Sequence, residues 1–287
     1  MRLIKRIVVL LILNRYVKFY NTNSLLFETI MWKKFEMLAN EIHKITKGEL
    51  AIYVPNGGNW GDAFIREATL KFLNDNSISY IEIPFNNMFW LQLENDLLKK
   101  FFEDKVLIYG GGGAWCSNYY SGAYLVNRIH PFFKKVIVLP STLQVQIKTK
   151  NVIYFCRDRY ESKKNYPKST FCHDMALYMT GKIKNTIINK KNGYFFRLDK
   201  ESTLKIKIPD NNIDISSFGN EMTPIIPFIA KINEHEIINT DRLHVAIAAC
   251  VMDKKLNFYE GAYYKNEAVF KSSIVNYFKN VSFFHLK

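Results

Sequence analysis

The chain has 287 residues, 48% of them hydrophobic and 23% charged, a balance that excludes a disordered or fibrous protein and leaves room for two domains of ordinary size. Lys and Arg total 40 against 26 acidic residues, a formal net charge of +14. Such a surface attracts anions of any kind, so a phosphorylated substrate, an anionic membrane face and nucleic acid all suit it, as does a coding bias toward Lys, Asn and Ile.

The chain opens MRLIKRIVVLLILNRY, with an apolar run from Ile7 to Leu13 between Arg6 and Arg15. The run is much shorter than the roughly 20 residues of a membrane-spanning helix, and no small-residue cleavage site follows it. It reads as an interfacial or core-packed segment, compatible with peripheral membrane contact. Residues 1–47 as a whole read as a helical segment.

After Gly48 the chain repeats one theme: a short aliphatic run, a Gly-rich or polar loop, then an amphipathic stretch. The first strand spans Leu50 to Val54. A helix opening at Asp62 carries Ile65, Ala68, Thr69, Phe72 and Leu73 at helical spacing. Further strands are predicted at Tyr80–Ile83, Val106–Tyr109, Val136–Leu139 and Val152–Cys156, with helices at about 91–102 and 119–132. Aliphatic strands alternating with helices predict a mostly parallel sheet covered on both faces, over residues 48–185. Gly181 to Lys191 is polar and Lys-rich, a linker pattern. Residues 186–287 form a second α/β unit, with strands at Gly193–Arg197, Glu236–Asn239 and Leu256–Tyr259 and helices at Thr223–Asn233 and Arg242–Met252. The four cysteines, Cys116, Cys156, Cys172 and Cys250, form no CxxC pair, which fits a reducing cytoplasm better than a zinc site or a disulfide framework.

Three loops stand out. In PNGGNWGD, Pro55 to Asp62, glycines let the backbone approach a ligand at a helix N-terminus, the setting for an anion or a sugar; Asp62 as a plain helix cap is the simpler alternative. GGGG, Gly110 to Gly113, follows a strand directly, at the edge where open α/β sheets bind ligands; a loop needing positive φ angles is its simpler reading. In NTDRLHVAIAAC, Asn239 to Cys250, Thr240 or Asp241 caps a helix whose first turn carries Arg242 and His244. A guanidinium there runs against the helix dipole, and anion binding supplies a reason for it, as does pairing with Asp241 or another acid. FCHDMAL places His173 and Asp174 at a strand end, where Asp174 as a helix cap is the simpler reading, and FFRLDKE places Arg197 and Asp199 at another, where a lone surface ion pair is.

In kind and order these segments resemble the pattern of the polysaccharide pyruvyl transferase family: GGNWGD at 57–62, GGGG at 110–113, LPST at 139–142, CHDMA at 172–176 and TDRLH at 240–244. The chain departs from the family at Arg157-Asp158-Arg159-Tyr160, where Arg-Glu followed by Ser-Tyr is usual. The resemblance implies two Rossmann-like domains like those of GT-B glycosyltransferases, with the acceptor on the N-terminal side and phosphoenolpyruvate, as donor, on the C-terminal side. It implies no cofactor and no metal. By motif position Arg242 and His244 bind the donor, with Arg197 as a second cation. Leu243, His173, Asn59, Gly57, Gly58 and Gly61, and Gly111, Gly112 and Gly113 complete the substrate-binding set.

The implied reaction moves the enolpyruvyl group onto a hexose of a polysaccharide, or of its lipid-diphosphate-linked precursor, as a pyruvate ketal. That needs a proton donor and a base: His244 is the candidate acid, and Asp62 or Asp174 the group that orients or deprotonates the acceptor. The alternatives are a GT-B-type nucleotide-sugar glycosyltransferase of exopolysaccharide synthesis, since one fold serves both chemistries, and a non-catalytic module for anionic glycans. Basic and aromatic residues do not interleave as in nucleic-acid binders, and the expected location is the cytoplasm, with peripheral contact at the inner membrane face.

Overall fold

A computed structural model describes residues 30–87, 90, 95–183, 190–203 and 207–286. The apolar run Ile7–Leu13 lies outside the described residues, as do 91–94 of one predicted helix and 184–189 of the predicted linker. Helix α1 covers 30–46, and its Met31, Phe35, Leu38 and Ile42, at spacings of three and four, are all buried.

In chain order there follow β1 (Ala51–Val54), α2 (Trp60–Asp75), β2 (Tyr80–Glu82), α3 (Asp96–Phe102), β3 (Val106–Tyr109), β4 (Gly112–Trp115), α4 (Ser121–Ile129), β5 (Lys135–Leu143), β6 (Val152–Cys156), α5 (Glu161–Asn165) and β7 (Thr170–Phe171). A 3-10 turn, Met175–Met179, leads out of this set. The strands form one parallel sheet in the order β2-β1-β3-β5-β6-β7, with β4 also paired to β5. After it come β8 (Lys190–Tyr194), α6 (Ile226–Asn233), β9 (His235–Thr240), α7 (Leu243–Val251), β10 (Lys255–Tyr259), α8 (Lys265–Val269) and β11 (Val281–Phe284). These strands make a second parallel sheet, β11-β10-β9-β8.

The central strands are buried on both faces, and their two-residue period sorts them between two cores. Ala51, Tyr53, Val106, Ile108, Ile137 and Leu139 join the larger cluster. Ile52, Val54, Leu107, Tyr109, Val136 and Val138 join the smaller one, under Ala123, Val126 and Ile129 of α4. Each fully buried aliphatic side chain stabilises the fold by about 1.5–3 kcal/mol. The larger cluster continues through Phe64, Ile65 and Phe72 of α2 into Val245, Ile247 and Ala248 of α7 and Ile238 of β9, so the two sheets share one core.

The second half of the glycine run, Gly112-Gly113, is part of a strand. β3 and β4 both pair with β5, one before and one after Gly110-Gly111. A Cβ on Gly110 would lie 2.7 Å from the backbone nitrogen of Asn56, and one on Gly111 would overlap the Pro140 carbonyl oxygen. Only glycine lets the PNGG loop, the strand break and the LPST segment pack this closely.

Other differences from the sequence reading have local causes. α2 starts at Trp60, two residues before Asp62, because Asn59 is its cap: Asn59 Oδ1 accepts from Gly61 N at 2.8 Å, and Asp62 Oδ2 accepts from Asn59 N at 2.9 Å, a reciprocal capping box. α6 begins at Ile226 and not at Thr223, because Pro224 and Pro227 confine its start. α4 ends at Ile129 and tightens into a 3-10 turn at His130–Phe132, where Pro131 offers no N–H. β8 runs over Lys190–Tyr194 instead of Gly193–Arg197, which leaves Arg197 beyond the strand end. The four cysteines are free and buried. Among the described residues no helix is long and apolar enough to cross a membrane.

Candidate active site

The carboxyl ends of both sheets face one cavity of about 600 Å³. Asn56 to Asn59 follow β1, Gly113 and Ala114 lie in β4, Arg157 follows β6, Arg197 follows β8, and Arg242 to His244 follow β9; all line it. This is the edge at which open parallel sheets bind ligands.

Both arginines singled out from the sequence line the cavity, each nearly covered and each held by carboxylates. Arg242 grips Asp214 with two parallel bonds, Nε to Oδ1 at 2.7 Å and Nη2 to Oδ2 at 2.6 Å. Its Nη1 lies 3.0 Å from Asp199. Arg197 pairs with Glu201 and places Nε 3.1 Å from the same Asp199, while Lys265 donates to Glu201 at 2.7 Å. Arg157, Arg197, Arg242 and Lys265 are therefore matched in the cavity wall by Asp62, Asp199, Glu201 and Asp214. Asp199 differs from the others that hold the arginines: it bridges both guanidiniums and is 32% exposed, against 8% for Asp214 and 1% for Glu201.

Neither expected cap closes α7 with its side chain in the usual way. Arg242 itself holds the cap position in extended conformation, and its N–H donates to Thr240 Oγ1 at 2.9 Å. Asp241 turns away to accept from Arg197 N at 2.8 Å, and burial pushes its carboxyl up to about 6. A raised carboxylate stabilises the fold below its unfolded value, about 3.9, and that contribution is lost as pH rises through the folded value. Asp241→Asn keeps the acceptor oxygen without the charge. It is expected to raise stability at pH 8 by about 2–3 kcal/mol and to lose that advantage by about pH 4, as urea unfolding midpoints would record.

His244 lies where the two sheets meet. A Cβ on Gly61 would lie 2.5 Å from His244 Nδ1, so the glycine is what admits the imidazole against the start of α2. On the other side Nε2 is 3.7 Å from Asp174 Oδ2. That oxygen also accepts from Arg157 Nη1 at 2.7 Å, and Arg157 Nε donates to Thr142 Oγ1 at 2.8 Å. Arg157 and Asp174 are both about 1% exposed. Burial alone would raise Asp174, but the neighbouring imidazole and guanidinium outweigh it and hold the carboxyl below the usual carboxylate range. Asp62 moves the other way. Enclosure by the cavity wall raises it, against the nearby His244 imidazole and bonds from Asn56 Nδ2 at 2.8 Å and Asn59 N. Two carboxylates flanking one imidazole are thus pushed in opposite directions.

The structure divides the sequence-predicted set. Gly57, Gly58, Asn59, Asp62, Gly113, Arg197, Arg242, Leu243 and His244 line the cavity. Asp174 lies behind the wall, under His244 and Arg157. Gly61, Gly111 and Gly112 also lie behind it, in packing contacts. His173 points into the core, where Nδ1 meets Ser273 Oγ at 2.8 Å between the Phe171 and Tyr277 rings, and burial pushes it down to about 3. Asn56, Tyr119, Ser121, Arg157, Glu201, Asp214 and Lys265 line the cavity without having been singled out as site residues. Arg157 had a signal, since it directly follows a strand. Its neighbour Asp158, ahead of α5, accepts from Tyr160 N and Ser162 N, so the departing segment splits into a cavity arginine and a buried turn carboxylate. Among the described residues no group of three or more His, Cys, Asp or Glu side chains is placed to hold a metal ion.

Comparison with known proteins gives two findings. The sequence model of a family described as polysaccharide pyruvyl transferase matches residues 59–256. A crystal structure of a functionally uncharacterised protein from Klebsiella pneumoniae subsp. pneumoniae is similar, with 27% sequence identity and a TM-score of 0.69 over 88% of this chain and 98% of that one. No curated protein matches.

Proposed function

Since the chain belongs to the polysaccharide pyruvyl transferase family, we propose that it transfers the enolpyruvyl group of phosphoenolpyruvate to a hexose of a polysaccharide or its lipid-linked precursor, in the cavity between the two sheets. The observation that carries this reading is the Asp199 carboxylate bridging Arg197 and Arg242 beside His244. Two guanidiniums sharing one partly exposed carboxylate make a seat for an exchangeable anion. The donor carboxylate takes that seat and the donor phosphate lies toward the first-turn N–H groups of α7.

The donor's methylene carbon takes a proton, an acceptor hydroxyl attacks the adjacent carbon, and the bond to the phosphate oxygen breaks. A second hydroxyl of the same sugar closes the ketal. Of the two hydroxyl protons, one balances the proton gained at carbon and the other leaves on phosphate. His244 supplies the proton to carbon. Asp62, which lines the cavity and whose affinity for protons is raised, takes the proton from the attacking hydroxyl. Asp174 does not reach the cavity; it stays ionised and orients His244.

Phosphorus NMR tests the reading: phosphoenolpyruvate should yield inorganic phosphate only when a saccharide acceptor is present. Consumption of a nucleotide sugar with phosphoenolpyruvate untouched would assign the site to glycosyl transfer. If Asp199 holds the donor's seat, Asp199→Asn should bind phosphoenolpyruvate about fivefold more tightly by calorimetry, the equivalent of about 1 kcal/mol for a partly exposed ion pair. Weaker binding would show that Asp199 serves to position the arginines.

A further inference from the structure

Beside the arginine-lined cavity lies a second, of about 610 Å³, with different chemistry. The two share Tyr119 and Ser121 in their walls, so they adjoin at the start of α4. Phe85 in the second wall packs against Gly57 in the first, where a Cβ would lie 2.6 Å from its ring. Tyr119 at the boundary is pinned from the second-sheet side: Lys200 Nζ sits 4.3 Å from its ring centroid and donates to Asn118 O at 2.7 Å.

Acids and arginines fill the first wall, whereas no Asp or Glu lines the second among the described residues. Rings alternate with amides there: Phe85, Trp90, Tyr120 and Tyr124 with Asn86 and Asn118. Sequence spacing makes the pattern. Tyr120, Tyr124 and Arg128 recur every four residues and so form one stripe on α4, while Ala123, Val126 and Ile129 on its other side are in the core. Tyr120 and Tyr124 are 58% and 60% exposed. A lone exposed tyrosine needs no explanation. A stripe of them along a cavity that adjoins the candidate active site is unexplained by packing, and its volume is that of a small-molecule site, about 300–1,000 Å³.

We infer that this cleft binds the saccharide chain of the acceptor, on the side leading away from the sugar that reacts. Sugar rings present C–H faces that rest on aromatic faces and hydroxyl edges that bond to amides. The cleft offers both, with an amphipathic tyrosine stripe as the floor and Arg128 at its far end for an acidic sugar. The inference rests on the reading of the protein as a saccharide-modifying transferase, and it adds the residues that select the chain.

The test uses the whole protein and a Tyr120→Ala/Tyr124→Ala variant, whose exposed side chains can be removed at little cost to folding. Both are applied to an immobilised set of capsular and exopolysaccharide oligosaccharides, and both are titrated with phosphoenolpyruvate. The expected result is saccharide retention by the parent that falls about tenfold or more in the variant, with donor affinity unchanged and, in the phosphate-release assay, a raised acceptor KM at unaltered kcat. Equal retention and equal KM in the two proteins would overturn the inference and leave the proposed reaction standing. Retention lost in the variant while the parent releases no phosphate with any saccharide would keep the cleft and reject the reaction. A parent that retains no saccharide would overturn the inference.

Discussion

His244→Asn is expected to reduce acceptor-dependent phosphate release about 10²- to 10⁴-fold, the usual contribution of a positioned acid or base, with little change in unfolding midpoint. The imidazole acts electrostatically on both carboxylates whose proton affinities diverge, Asp62 above its ordinary value and Asp174 below it. It lies at the edge of the cavity, 14% exposed, so its removal opens space toward solvent and not a sealed hole in the core. Calorimetric affinity for phosphoenolpyruvate should fall far less than turnover, because the arginines remain. A variant that turns over at the parental rate would remove His244 from the proton-transfer step.

Asp174→Ala should produce the largest loss of stability, about 3–5 kcal/mol, the cost of leaving one partner of a buried ion pair uncompensated. Arg157, about 1% exposed, would keep its bond to Thr142 and lose its only carboxylate contact among the described residues. Ala176 N would also lose the acceptor that caps the turn after Asp174. The pH dependence fixes the sign. A carboxyl held below its usual value stabilises the fold above the unfolded value, about 3.9, and that stabilisation is lost as pH falls through the folded value. The gap between parent and variant, read from urea unfolding, should therefore be full at pH 7 and narrow under strongly acid conditions, opposite in sense to Asp241→Asn. Equal midpoints at pH 7 would mean that the buried pair carries no net stability.

The central strands β1 and β3 were legible because burial on both faces leaves nothing but β-branched, aliphatic and aromatic residues in them. Val106–Tyr109 matches its expected bounds, and β1 begins one residue later than the pattern suggested. The glycine run was visible as a motif but not as a break within a strand, because only the length of β5 shows that pairing resumes beyond it. β4, α5, β7, β11 and α8 were missed: each is at most five residues long, too short to display a period.

The site was legible where a motif sits at a strand end and illegible where the partner comes from elsewhere. Arg242 and His244 announce themselves at a helix start, yet Asp214, which neutralises Arg242, lies 28 residues upstream at the start of a short 3-10 turn, Ile215–Phe218, too brief to show a pattern. Glu201 and Lys265 are 64 residues apart and meet only on folding. The adjacent pair His173-Asp174 shows the opposite failure. One motif, read as one site, is split by the backbone: Asp174 goes to Arg157 and His173 goes to Ser273 in the core.

The most direct measurement is a crystal structure of the protein soaked in phosphoenolpyruvate. The account predicts density for the three-carbon donor in the cavity between the sheets, with its carboxylate on Arg197 and Arg242 in place of Asp199, Asp214 still bound to Arg242, and its methylene carbon facing His244. Donor density elsewhere on the basic surface, with the Asp199 bridge intact, would contradict it.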